Sequence, residues 1–163
     1  MLIIVDTMKD LNFRQLMDVY EELNMEQGRL LFPRESPAQW PLLAEQDFYQ
    51  YLRECFFPTP GAVYAIWLEG GRYVSALRLE PYMDGLLIEA LETLPSCRGR
   101  GYAGQLLTAV KARYDAVLYA HVDKKNIPSI RAHERCGFYR ITEQARYADG
   151  SVLPGSCTYC SKI

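Results

Sequence analysis

Apolar positions along the chain change period repeatedly. Residues 2–5 (Leu-Ile-Ile-Val) are a short apolar run ending at Asp6 and predict a first strand. Phe13, Leu16, Met17, Tyr20 and Leu23 then recur at helical spacing, with Asp10 or Asn12 able to cap the start, and the helix is expected to end near Gly28. Three prolines, Pro33, Pro37 and Pro41, predict a loop over residues 32–41 that carries Phe32 and Trp40. Phe48, Tyr51, Leu52 and Cys55 share one face of a second helix. Residues 62–68 and 73–79 predict two strands joined at Glu69-Gly70-Gly71-Arg72, where paired glycines supply the positive φ of a tight hairpin.

Residues 86–94 predict another strand, apolar except at Glu89 and Glu92, and Pro95 stops it. Ala103, Leu106, Leu107, Val110 and Tyr114 mark a helix, residues 116–122 a strand, residues 128–135 a short helix, and residues 138–145 and 157–162 the closing strands. No repeat or linker divides this alternation of strands and helices, so one mixed α/β domain over residues 1–163 is expected.

Composition narrows the function classes. With 163 residues and 49% hydrophobic side chains, the chain can bury a core, which argues against disorder. Eighteen basic and twenty acidic residues leave a charge of −2, so no global positive field speaks for a nucleic-acid partner. The first apolar run is too short for a signal-peptide core, and no later run is long enough to span a membrane, so the expected location is cytoplasmic. Five cysteines, an odd count in a chain read as cytoplasmic, are expected to be reduced thiols. Cys157 and Cys160 have the spacing of a metal knuckle, but no second Cys or His pair follows to complete a tetrahedral site, so no metal is expected.

The most informative segment is Arg98-Gly99-Arg100-Gly101-Tyr102-Ala103-Gly104, which leads from a strand directly into a helix. Glycines let consecutive N–H groups converge, and the helix dipole adds partial positive charge, which together suit a diphosphate; Arg98 and Arg100 add full charges. Dinucleotide and Walker loops fit poorly, since the glycines do not follow the first strand of a parallel unit and no Gly-Lys-Ser/Thr closes the loop. A solvated turn or an RNA-binding arginine-glycine stretch are the other readings, though one copy is little for the latter.

Arg98, Gly101 and Ala103 match the Gln/Arg-x-x-Gly-x-Gly/Ala motif, and the loop resembles that of the GNAT superfamily of N-acyltransferases. The segment from Asn126 to Phe138, with Gly137 near its end, resembles the same family's Asn-x-x-Ala-x-x-x-Tyr-x-x-x-Gly-Phe stretch, with His133 in place of the tyrosine. Asn126, Pro128 and Gly137 also suit the cap, first turn and end of a short helix. The two matches cover the C-terminal half of the chain.

The resemblance implies a mostly antiparallel mixed sheet with helices on both faces and a central split between the strands over residues 86–94 and 116–122. It implies an enzyme that moves an acetyl group from acetyl-CoA to a primary amine by direct attack in a ternary complex. Leu91 and Thr93 would pair with pantetheine, Arg98, Gly99, Arg100, Gly101, Tyr102, Ala103 and Gly104 would hold the diphosphate, and Asn126 would contact the pantetheine arm. An alkylammonium of pKa ~10.4 must lose a proton before it attacks. Glu89, Glu92 and His121 are the candidate bases, and His133 is the candidate acid for the leaving thiolate.

Glu89 and Glu92 stand an odd number apart, so without a bulge only one of them can face the cleft. The acceptor region is expected over residues 23–40, with Glu21, Glu22 and Glu26 nearby, favouring a small cationic amine slightly over a protein. A protein N-terminal or lysine acetyltransferase and a non-catalytic acyl-CoA sensor are the alternatives. Monomer and dimer both stay open.

Overall fold

The computed structural model describes residues 1–162; Ile163, the end of the expected domain, lies outside them. Seven strands form one sheet in the order β1-β2-β3-β4-β5-β9-β6. β1 (Leu2–Val5), β2 (Val63–Glu69), β3 (Arg72–Tyr82) and β4 (Gly85–Thr93) make an antiparallel meander. β5 (Val117–Asp123) pairs with β4 in parallel, and β9 (Ser156–Cys160) lies between β5 and β6 (Tyr139–Thr142).

Strand alternation sends side chains into two cores. On one face, Tyr64, Ile66, Tyr73 and Ala76 pack with Leu16, Met17, Tyr20 and Phe56. On the other, Ala65, Leu77, Leu79, Ile88 and Leu118 pack with Leu106, Leu107, Val110 and Phe138. The first face carries α1 (Phe13–Val19), and α2 (Glu21–Leu31) and α3 (Trp40–Tyr51) pack together on that side; α4 (Tyr102–Arg113) and α5 (Ile127–Arg135) lie on the second. The mixed, mostly antiparallel sheet with helices on both faces is thus as expected.

Several boundaries differ from the sequence reading. The first expected helix is two, broken at Tyr20 (φ −96°, ψ 16°), whose hydroxyl donates to the Ala90 carbonyl at 2.8 Å; a tertiary hydrogen bond accompanies a break that periodicity does not register. Asn12 is the N-cap and accepts from the Gln15 N–H. Gly28 does not end the helix: it sits inside α2, where any Cβ would collide with the Trp40 backbone. Residues 40–41 belong to α3 rather than the loop, because proline is tolerated in a helix's first turn. α3 continues into a π-helical turn over Leu52–Phe56.

β3 runs on through Pro81 to Tyr82. The expected strand over residues 138–145 ends at Thr142, and a small hairpin of β7 (Ala145–Arg146) and β8 (Val152–Leu153) follows.

β4 carries the most consequential irregularity. Ala76 pairs with Glu92 and Arg78 with Glu89, so Ala90 and Leu91 together oppose Leu77. This is a β-bulge, and Ala90 takes φ +49°, a conformation costly for a residue with a Cβ. A second feature lies on the other edge of β4. Its pairing with β5 runs from Gly85↔Val117 to Ile88↔Ala120 and no further, so the two strands part beyond that point.

Candidate active site

Two hollows lie on opposite faces of the sheet beside the parting of β4 and β5. The first, about 410 Å³, is on the α2–α3 face. Its walls come from Tyr20, Asn24 and Phe48, its base from Arg78, Glu89 and His121, and Tyr147 and Leu153 close it from the β7–β8 hairpin. The second, about 640 Å³, is on the α4–α5 face, bounded by β4, the glycine loop and α5. Glu92 borders both.

The second hollow is built largely from main chain. Gly99 and Gly101 have φ of +77° and +81°, and nothing lies within 4 Å of where a Cβ would sit on either. Their requirement is therefore conformational rather than spatial. Gly101 is the N-cap of α4, and no side chain among the described residues caps that helix. The first N–H groups of α4 consequently converge without side-chain acceptors at the positive end of the dipole, a geometry that favours an oxyanion.

Leu91, Thr93, Arg98, Gly99, Gly101, Tyr102, Ala103, Gly104 and Asn126 all border this hollow. Arg100 is exposed and does not border it. Arg98 is not a free cation: it contacts Glu22 at 2.5 Å and Glu92 at 3.6 Å, and its Nε donates to the Thr93 carbonyl. Its guanidinium ties the loop to α2. Asn126 caps α5 by accepting the Ser129 N–H.

The bulge alters the carboxylate expectation. Glu89 and Glu92 both border the first hollow, because the extra residue between them restores the same facing. Burial raises the Glu89 carboxyl above its ordinary range, opposed by Arg78 at 3.7 Å. Burial raises Glu92 as well, opposed by Arg98.

The two histidines part company. His121 projects from β5 into the first hollow, with Nδ1 3.0 Å from Thr158 Oγ1 and the rings of Tyr82 and Tyr147 edge-on to it. Its Nε2 is buried and makes no hydrogen bond, although the Arg146 carbonyl lies near enough to oppose the downward shift that burial imposes. His133 borders neither hollow. It is 2% exposed, packs on Phe138 and Tyr159, and its Nδ1 donates to the Ser129 carbonyl at 2.8 Å. Burial holds it below its ordinary value. The position expected to face the leaving group thus faces the core.

All five cysteines are free, and no group of three or more potential metal ligands occurs among the described residues. No described helix is long and apolar enough to cross a membrane.

A strand that parts from its parallel neighbour beside an uncapped, glycine-led helix is the arrangement that the family resemblance implies. The sequence profile of the acetyltransferase (GNAT) family matches residues 17–138. The chain belongs to this family. Solved structures with the same fold include an acetyltransferase related to histone acetyltransferase HPA2 from Corynebacterium glutamicum, 15% identical, covering 98% of this chain and 94% of that one with a TM-score of 0.70.

The PaiA N-acetyltransferase of Thermoplasma acidophilum, solved in complex with coenzyme A, is 9% identical over 100% of this chain and 99% of its own, with a TM-score of 0.65. An acetyltransferase from Streptococcus agalactiae is 19% identical over 99% and 98%, with a TM-score of 0.61. No curated protein sequence matches the chain.

Sequence reasoning missed Arg78, Tyr20 and Tyr147 as parts of a site, whereas Asn24 falls within the acceptor region expected over residues 23–40. Only Arg78 left a signal, a lone cation within the otherwise uncharged stretch of residues 73–79.

Proposed function

We propose that this GNAT-family acetyltransferase transfers an acetyl group from acetyl-CoA to a primary amine by direct attack within a ternary complex. The observation that carries the reading is the meeting of two hollows, one on each face of the sheet, where β4 and β5 part, with Glu92 bordering both. The CoA diphosphate lies on the α4 mouth at Gly99–Gly104. Pantetheine runs along the edge of β4 left without a strand partner, near Leu91, Thr93 and Asn126. The amine enters from the α2–α3 side.

In this scheme Glu89 and Glu92 attract the ammonium, and the imidazole of His121, which borders the hollow, takes up its proton. The amine nitrogen then attacks the thioester carbonyl carbon, and as the C–S bond breaks the surplus proton on that nitrogen passes to the departing sulfur, so that the products are the amide and CoA thiol. A main-chain N–H near the bulge polarises the thioester oxygen as charge builds on it. His121 suits the base role because burial favours its neutral form.

The burial of His133 favours one rival, a sensor that binds acyl-CoA without turning it over. One experiment separates the two. The purified chain is incubated with acetyl-CoA and a panel of amines, and products are followed by mass and by thiol release. Amide and free CoA are expected. Tight CoA binding with no amide from any amine or peptide would leave the sensor reading standing instead.

A further inference from the structure

We infer that the acceptor carries a carboxylate several bonds away from its reacting amine, and that Arg78 binds that carboxylate at the floor of the α2–α3 hollow. The inference rests on the proposed amine acetylation and specifies its substrate class.

Arg78 stands on β3 with its side chain only 15% exposed, yet it borders the hollow. Its Cζ lies 5.8, 5.2 and 5.7 Å from the ring centroids of Phe48, Tyr51 and Phe56. Rings so placed fix the guanidinium and satisfy none of its in-plane N–H donors. Nε is buried without a partner among the described residues, and the ion pair with Glu89, at 3.7 Å, is too long for a hydrogen bond. A nearly buried guanidinium so poorly paired is costly for the fold and is ready for a planar, two-oxygen partner, which its fork of donors matches.

The surrounding charges select a zwitterion over a simple anion. Asp47, Glu89 and Glu92 border the same hollow, so a ligand bearing only negative charge meets three carboxylates against one cation. An amine at the Glu92 end and a carboxylate on Arg78 satisfies both.

Strand geometry sets the separation. Arg78 pairs with Glu89 on β4, and the thioester lies beyond β4, in the gap toward β5. One strand spacing, about 4.8 Å, therefore stands between β3 and the near edge of that gap, more than the single carbon of an α-amino group bridges.

The test uses matched pairs. Straight-chain amino acids with increasing distance between amine and carboxylate are each compared with the corresponding amide, with the plain alkylamine and with the diamine of equal length. Both kcat/KM for acetylation and calorimetric binding to the CoA-loaded protein are measured. The acids of longer separation are expected to exceed their amides by about tenfold or more, chiefly through KM.

Arg78→Gln is expected to bring acid and amide to the same level, with CoA binding serving as the check that the variant is folded. Should that variant fail to fold, the wild-type ratio still decides. Equal use of acid and amide, or a preference for the diamine, would overturn the carboxylate assignment and leave amine acetylation intact. Acid-selective binding with no amide formed from any amine would keep the Arg78 site and remove the catalytic reading.

Discussion

The two hollows meeting at the split are built by different means. On the α4 face the groups presented are backbone N–H donors, set free because Gly99 and Gly101 adopt positive φ at a helix start that no side chain among the described residues caps. On the α2–α3 face they are side chains drawn from three helices or turns, three strands and a hairpin, held in place by an aromatic cluster around Arg78. In the proposed scheme the main-chain site recognises what every acyl-CoA shares, and the side-chain site, which can be rebuilt residue by residue, encodes the acceptor.

The sharpest way to break this contrast is Gly101→Glu. A carboxylate at the α4 mouth opposes a diphosphate, and left-handed φ costs a residue with a Cβ about 1–2 kcal/mol. Since nothing lies within 4 Å of the new Cβ, the fold is expected to survive while calorimetry shows CoA affinity falling about a hundredfold or more. Retained affinity would mean that the diphosphate sits elsewhere.

His121→Ala probes the other side. It is expected to lower kcat by about 10² to 10³ and leave the CoA dissociation constant near that of the wild type. Because burial lowers the His121 pKa, the wild-type acid limb of kcat/KM should fall below the ordinary value of ~6.5, and the substitution should abolish that limb. An unchanged pH profile would transfer the base role to Glu89, Glu92 or water.

His133 gives a smaller, purely structural prediction. The folded chain keeps it neutral below the unfolded pKa of ~6.5, so the unfolded state binds the extra proton in that range. Stability is therefore complete above ~6.5 and declines as pH falls toward the folded value, with a slope of at most about 1.4 kcal/mol per pH unit from this residue. Denaturant titrations across pH should show that decline, and His133→Gln should flatten it without the large loss of kcat expected at His121.

The smallest effect concerns the bulge. Ala90→Gly relieves left-handed strain but adds unfolded-state entropy, so its stability is expected to change by less than about 1 kcal/mol, measured by thermal unfolding. Glu89 and Glu92 should keep their shared facing, and activity with it. A large loss would show that the Ala90 methyl does more than tolerate the bend.

Legibility in the sequence followed the range of the forces involved. The loop around Gly101, the cap at Asn126 and the hairpin glycines are local: a few adjacent residues determine their φ and hydrogen bonds, and the chain writes them in order. The break at Tyr20 is not local, because the Tyr20 hydroxyl finds its acceptor seventy residues away at Ala90. The same holds for Arg98, whose charge reads as free in the sequence but is shared with Glu22 on α2. His133 matched a motif position by count, yet its side chain turns toward Phe138 and Tyr159.

The sequence by itself determined the alternation of strands and helices, the conformation of the glycine loop and the family. Local backbone preference and periodic burial act over a few residues and survive in any context. Only the tertiary structure decided that Glu89 and Glu92 face one hollow, that His121 rather than His133 borders it, and that Arg78 lies at its floor. Those outcomes depend on one extra residue in a strand pairing and on which distant groups can share a hydrogen bond once water is excluded, and neither leaves a periodic trace along the chain.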